Sequence, residues 1–280
     1  MHRVAASGGG LYVTTAGHMS SYPAVIALHG GPGIDGGGLR LMLDPLTEMT
    51  TVVVPDLRGH GRSDYGSPAA WSLDTWADDV ATVIEALGLD APLIFGISFG
   101  GWVAIRHASR HPQQSSGLVV AATAAQLPPV EQVAQRMGRL GGPEAEAAWL
   151  RLHAEPSDPA GARQWCDPLM SRRRPRTDLA AVREKQQYHE EVNAHFTPLF
   201  QQLNLSSELG RYRRPGLMII GQHDPMVPVE SAAATAAAFG SGPAALEVLP
   251  DAAHDLLADD PEGLIDAIRR MLAQLRSTSH

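Results

Sequence analysis

The 280-residue chain has a single cysteine, Cys166, and a single lysine, Lys185. A lone thiol excludes an intramolecular disulfide and fits a reducing compartment. The shortage of lysine is a matter of codon supply, since 21 of the 22 basic residues are Arg in a chain rich in Ala and Gly. Basic charge is itself in the minority, with 30 Asp and Glu giving a net charge of −8. That balance argues against nucleic-acid or anionic-membrane binding, because both need a basic face. The one basic cluster, Arg172-Arg173-Arg174-Pro175-Arg176, reads as a solvated surface run. No apolar run approaches the length of a membrane span, and residues 1–10 lack the apolar stretch of a signal peptide, so the expected location is the cytoplasm. No His, Cys or carboxylate grouping has metal-ligand spacing, and no cofactor is expected.

What the chain does have is alternation. Apolar residues make up 44% and charged residues 19%, ordinary values for a globular protein. Strands are expected at residues 11–15, 24–28, 51–55, 91–95, 117–122, 216–220 and 244–249. Helices are expected between them, at 73–87 closed by Gly88, at 101–111 stopped by Pro112, at 231–239 and at 261–275. Strands and helices alternating at this spacing form βαβ units, hence an α/β fold with a mostly parallel sheet and helices on both faces. The alternation breaks near Gln126 and returns near Pro215. The intervening stretch has helical segments at 130–140 and 143–152 and interruptions at Gly141-Gly142 and 156–159. The expected division is therefore a core of 1–125 and 215–280 and a helical cap of 126–214 over the carboxyl edge of the sheet, where open α/β sheets bind ligands. Trp149, Trp165, Tyr188, Phe196 and Phe200 are candidates to line a substrate pocket there.

The segment Gly96-Ile97-Ser98-Phe99-Gly100 lies between the fourth of these strands and a helix whose apolar face is marked by Trp102, Ile105 and Ala108. A serine on so sharp a strand-to-helix turn is an exposed nucleophile, and side chains at 96 and 100 would collide with each other or with neighbouring strands. A serine hydroxyl is protonated at neutral pH, so Ser98 needs a base, and the base an orienting carboxylate. For a serine on such an elbow the partners follow in the order acid, then His. Asp224 lies just past the strand 216–220, held by Pro225, and His254 just past the strand 244–249. The rival His223 is too close in sequence to Asp224 to serve it. The position after the strand 117–122 holds Thr123 and Ala124, neither of them an acid.

A tetrahedral intermediate concentrates charge on one oxygen, and each preorganised backbone donor there contributes about 3 kcal/mol to lowering the barrier. One donor is expected from Phe99, the residue after the nucleophile. The other is assigned to Gly31 in His29-Gly30-Gly31-Pro32-Gly33, where glycine lets the backbone approach a substrate, with His29 bracing the loop. These segments, together with Asp56-Leu57-Arg58-Gly59-His60-Gly61-Arg62-Ser63, Gly221 to Pro228 and His254, resemble the α/β-hydrolase superfamily. The resemblance implies an eight-stranded sheet and a structural, loop-locking role for Asp56, Arg58 and His60. Within the superfamily, His-Gly-Gly-Pro-Gly is similar to the signature of prolyl aminopeptidases. Those enzymes have Gln where Leu57 stands and Trp where Phe99 stands, and they use cap glutamates to hold the substrate's ammonium group. Here Glu144, Glu146, Glu155, Glu184, Glu190 and Glu191 are available, in no matching motif.

The expected function is hydrolysis of a small ester or amide, or of a short peptide, through a Ser98 acyl-enzyme, prolyl-aminopeptidase-like. A generic carboxylesterase and a carbon-carbon bond hydrolase or cofactor-free perhydrolase are the alternatives. A non-catalytic ligand-binding protein of the same fold is the reading that the three strand-end residues disfavour most.

Overall fold

A computed structural model describes residues 1–156, 160–240 and 244–278, with the expected interruption at 156–159 falling outside the described residues beyond Pro156. Eight strands form one sheet: β1 (His2–Ala6), β2 (Gly9–Ala16), β3 (Val25–Leu28), β4 (Val52–Pro55), β5 (Leu93–Ile97), β6 (Gly117–Ala121), β7 (Gly216–Gly221) and β8 (Ala245–Leu249). Their spatial order is β1-β2-β4-β3-β5-β6-β7-β8. β1 pairs with β2 and β2 with β4 antiparallel, and every pairing from β4 onward is parallel. The seven expected strands are all present. The eighth, β1, carried no readable signal because only Val4 of its five residues is buried.

The central strands β3 to β6 are buried at every position, as continuous Val, Ile, Leu and Ala runs require when helices cover both faces. Helices α1 (Gly37–Met42), α2 (Leu73–Ala86), α3 (Phe99–Arg110), α4 (Val130–Gly141), α5 (Pro143–Ala154), α6 (Ala160–Trp165), α7 (Thr177–Arg183), α8 (Glu190–Phe196), α9 (Ser206–Leu209), α10 (Val229–Ala237), α11 (Leu256–Asp259) and α12 (Pro261–Thr278) follow in chain order. Trp76, Val80 and Val83 of α2 join Val103 and Ile105 of α3 and Ala232 of α10 in the core on one face. Leu39 of α1 and Leu264, Ile268 and Leu272 of α12 fill the other. Each fully buried Val, Leu or Ile side chain contributes about 1.5–3 kcal/mol.

Local signals set the helix ends. The Ser72 hydroxyl accepts the Thr75 N–H at 3.2 Å to cap α2, and Gly88, at φ +60°, closes the helix in the left-handed region. α3 starts two residues earlier than its apolar periodicity suggested, because close packing rather than propensity places Gly100 and Gly101 in its first turn. Between β6 and β7, α4, α5 and α6 share a small core of their own around Met137, Ala145, Trp149 and Cys166. Among the described residues no helix is long and apolar enough to cross a membrane.

Candidate active site

Ser98 is the single residue between β5 and α3, at φ 52° and ψ −121°. A non-glycine residue there is strained, and the neighbouring packing holds it in place. A side-chain carbon on Gly96 would run into the backbone of Gly100, and one on Gly100 into the carbonyls of Leu28 and His29. The Ser98 N–H donates to the Ala121 carbonyl at 2.8 Å. Thr123, buried just past β6, donates its hydroxyl toward the carbonyls of Ser98 and Ala121, both at 2.8 Å. The residue dismissed as an acid thus braces the elbow, a role without any spacing signal in sequence.

Three strand ends converge on this turn. His254, five residues past β8, brings Nε2 to 3.0 Å from Ser98 Oγ. Its Nδ1 lies 2.8 Å from Oδ2 of Asp224, three residues past β7. The other oxygen of Asp224 accepts the N–H groups of Met226 and Val227, both at 2.8 Å, so the carboxylate cannot turn away. Burial pushes the His254 pKa down, but the charge and hydrogen bond of Asp224, aided by the charge of Asp255, outweigh it and hold the imidazole above its ordinary 6.5. His223 is exposed, apart from this chain of contacts.

The loop after β3 passes beside the serine, close enough that a side-chain carbon on Gly30 would lie 3.5 Å from Ser98 Cβ. Gly31 sits at φ +117°, in the region that favours glycine. Phe99 opens α3, so its N–H has no helical carbonyl to bond. His29 cannot act as a second base. Burial holds its pKa down despite the Gly30 carbonyl and the charges of Asp56 and Asp35, so it stays neutral. It then donates from Nδ1 to the Gly30 carbonyl at 2.8 Å and accepts the Leu57 N–H on Nε2 at 3.1 Å, tying two loops together. Asp56 accepts the N–H groups of Gly36 at 3.0 Å and Arg62 at 2.9 Å. Arg58 pairs with Asp79 through two hydrogen bonds of 2.9 and 2.6 Å in a buried site, and His60 stacks on Phe99 at 5.6 Å.

Above Ser98 and His254 lies a cavity of about 390 Å³ whose floor includes Gly30, Gly31 and Ile97. Of the five aromatic candidates, Trp149 and Phe200 line it. Tyr188 borders an adjoining recess, with the Arg163 guanidinium over its ring at 4.9 Å. Trp165 is exposed outside the cavity, and Phe196 is turned into the core against Trp76 and Phe99 at 5.4 and 5.1 Å. None of the six glutamates lines the cavity; Glu190 is paired with Arg163 and Glu191 with Tyr65. Polar wall residues without a sequence signal are His153, Asp167, Arg183, Asn193 and Asp255. Arg183 holds Asp255 in two hydrogen bonds of 2.7 and 2.9 Å, joining residues 72 apart in the chain. Asn193 of α8 donates to the Pro32 carbonyl at 3.2 Å, and the His189 N–H to that of Gly33 at 2.8 Å, so the helical segment grips the loop after β3.

An eight-stranded, mostly parallel sheet with a serine elbow and a histidine and aspartate at later strand ends defines the α/β-hydrolase class. The chain belongs to the alpha/beta hydrolase fold family, whose model matches residues 23–261. It is similar to a 2-hydroxymuconate semialdehyde hydrolase of Pseudomonas sp. (strain CF600), 31% identical over 106 residues, 38% of each chain. It is also similar to the proline iminopeptidase of Neisseria gonorrhoeae, 36% identical over 115 residues, which are 39% of this chain and 35% of that protein. These matches thus span little more than a third of the relatives' length. Among solved structures, a proline iminopeptidase from Mycobacterium smegmatis superposes with a TM-score of 0.78 at 19% identity, covering 100% of this chain and 99% of that one. An esterase from Thermogutta terrifontis gives 0.75 at 23%, covering 99% and 100%. At such identities the likeness is one of fold.

Proposed function

We propose that the protein is a serine hydrolase that cleaves a small ester or amide through an acyl-enzyme on Ser98. The observation that carries this reading is the unbroken chain from Ser98 Oγ to His254 Nε2 at 3.0 Å and from His254 Nδ1 to Asp224 Oδ2 at 2.8 Å. His254 takes the hydroxyl proton as Oγ attacks the carbonyl carbon, and Asp224 stabilises the imidazolium that forms. The N–H groups of Gly31 and Phe99 hold the oxyanion. His254 then protonates the leaving group, and a water activated by the same imidazole releases the acid. Residues 126–214 act as a cap, and the small cavity beneath them favours a compact substrate. Ser98→Ala should abolish turnover of p-nitrophenyl butyrate; turnover persisting in the purified variant would overturn the reading.

Within this class, the similarity of the His29 to Gly33 loop to prolyl aminopeptidases favours a short peptide with N-terminal proline. Its ammonium group would need a carboxylate, since an unpaired buried charge is costly. Asp167 at the cavity wall is the available one, because Asp255 is already held by Arg183. Cleavage of proline p-nitroanilide that falls sharply in Asp167→Asn supports the peptidase; esterase activity with no anilide cleavage leaves a carboxylesterase.

A further inference from the structure

A second recess, of about 460 Å³, lies beside Asp224 and Pro225 and shares no lining residue with the cavity above Ser98. Three arginines line it, Arg136 and Arg139 from α4 and Arg172 from the basic run between α6 and α7. Spaced three apart, Arg136 and Arg139 leave α4 on the same side. Arg136 Nε donates to the Pro225 carbonyl at 3.2 Å, which fixes that guanidinium at the wall. Arg172 gives its backbone N–H to Asp259 at 2.8 Å, but among the described residues the guanidinium groups of Arg139 and Arg172 have no hydrogen-bond or ion-pair partner.

The acidic residues of the same wall are Asp224 and Glu230. The Asp224 side chain is wholly buried, with its oxygens taken by His254 and by the N–H groups of Met226 and Val227. Glu230 is exposed and makes no ion pair with the three arginines. Burial holds the Arg136 pKa below its ordinary value, and the like charge of Arg139 adds to this more than Asp224 or Glu230 each offsets. The recess is therefore basic in a chain whose net charge is −8. His223, also in the wall, can give one ring N–H in either tautomer.

We infer that this recess binds a phosphate group, held by Arg139 and Arg172 in the field of Arg136, with His223 as a further donor. Guanidinium groups offer paired N–H donors that match the oxygens of a phosphate or a carboxylate. A phosphate has three oxygens and two charges to share among several such groups, whereas a carboxylate has two oxygens and one charge. Arg139 and Arg172 are exposed on long stems and can turn onto one ligand. Bound there, it would join α4 and the stretch before α7 to the loop after β7. The site stands apart from Ser98 and does not depend on the serine-hydrolase reading.

Calorimetric titration of the full chain with inorganic phosphate and with phenyl phosphate tests the site, at about pH 8, where both carry two charges, and at a constant ionic strength of about 0.15 M. Saturable binding of at least one of them, with a Kd of about 1 mM or tighter, is expected. Tighter binding of the monoester makes the occupant an organic phosphate, and equal or weaker binding makes it the free ion. Arg139→Gln and Arg172→Gln should each weaken the binding about tenfold, since each removes a charged donor. Arg174→Gln, an exposed arginine of the same basic run outside the recess, should change it less than about twofold. No saturable binding of either compound would overturn the site. So would binding that survives both Arg139→Gln and Arg172→Gln, which would place the ligand elsewhere, or an equal loss in all three variants, which would mark a diffuse basic field. The three side chains are exposed, so the variants should keep the wild-type melting midpoint, and the binding is read whether or not the chain hydrolyses any ester.

Discussion

Replacing Asp224 with Asn tests the proposed acid, the base and their electrostatics in one variant. The Asp224 side chain is wholly buried, with Oδ1 fixed by the N–H groups of Met226 and Val227 at 2.8 Å and Oδ2 facing His254 Nδ1 at 2.8 Å. Those two donors demand an oxygen, so the amide of Asn must place its oxygen at Oδ1 and its NH2 toward His254. A donor facing Nδ1–H is repulsive, and the imidazole shifts its proton to Nε2. It then presents an N–H to Ser98 where proton abstraction needs a lone pair. The expected loss in kcat is about 10⁴-fold, as for the corresponding change in another serine hydrolase, or about 5.5 kcal/mol of barrier.

The same substitution moves the pH profile, and the sign is fixed. His254 must be neutral to act as base, and in the wild type Asp224 holds its pKa above 6.5 against burial. The acid limb of kcat/KM should therefore lie above 6.5 in the wild type. Without the Asp224 charge burial dominates, and the limb of the residual activity should move to lower pH. Stability follows the linked sign. A raised folded pKa means that the charged pair stabilises the wild-type fold below the unfolded value and that this contribution fades as pH rises through the folded one, a trend that Asp224→Asn should reverse. The assay is kcat/KM on a p-nitrophenyl ester from about pH 5 to about pH 9 at constant ionic strength. A limb that stays in place, or a rate loss under about 100-fold, would refute the assignment of Asp224 to His254.

Asp259, fully buried, accepts the N–H groups of Ala253 at 2.7 Å and of Arg172 and Arg173 at 2.8 Å, and the Ser171 hydroxyl at 2.7 Å. Asp259→Ala should cost about 3–5 kcal/mol and lower the melting midpoint by about 10 °C, and an unchanged melt would show the site to be slack. Burial pushes the Asp79 carboxyl up more than Arg58 draws it down, so that pair fixes geometry more than it stabilises. Asp79→Ala strands the guanidinium at a cost of about 3–5 kcal/mol in urea unfolding, whereas Arg58→Met with Asp79→Leu should recover most of it. Thr123→Val keeps volume but removes the hydroxyl bonds beneath the elbow; a loss of about 1–2 kcal/mol with a several-fold lower kcat is expected, and wild-type kinetics would count against the bracing role.

The elbow was legible because backbone geometry admits few residues there. Gly96 and Gly100 have no room for a side-chain carbon, and sequence records that directly. Strands β3 to β6 were legible because burial on both faces demands unbroken apolar runs, whereas β1, with one buried residue, left no pattern. The cavity wall was not legible. Phe196 and Phe200 are both aromatic and four apart, which puts them on nearly one helical face, yet the first packs under Trp76 and Phe99 and the second lines the cavity. What separates them is the change from α8 to the tighter turn at Thr197–Gln202, which redirects the chain between the two rings. A hydrophobic pattern fixes which residues avoid water and cannot distinguish a core from a pocket wall.

The contacts of α8 and the turn before it join the two halves of the problem. The carbonyls of Pro32 and Gly33 are held by Asn193 and by the His189 N–H, while Asn193 and Thr197 line the cavity. The Gln187 N–H adds a bond to Asp35 at 3.1 Å, one residue before the chain turns toward α1. The loop carrying Gly31 is thus fixed from below by His29 and from above by the helical segment. A substrate that displaces Asn193 or Thr197 displaces the support of the proposed oxyanion donor with them. In the proposed mechanism, selection of the substrate and stabilisation of its transition state share the same hydrogen bonds, and a poorly fitting substrate should lose rate as well as affinity.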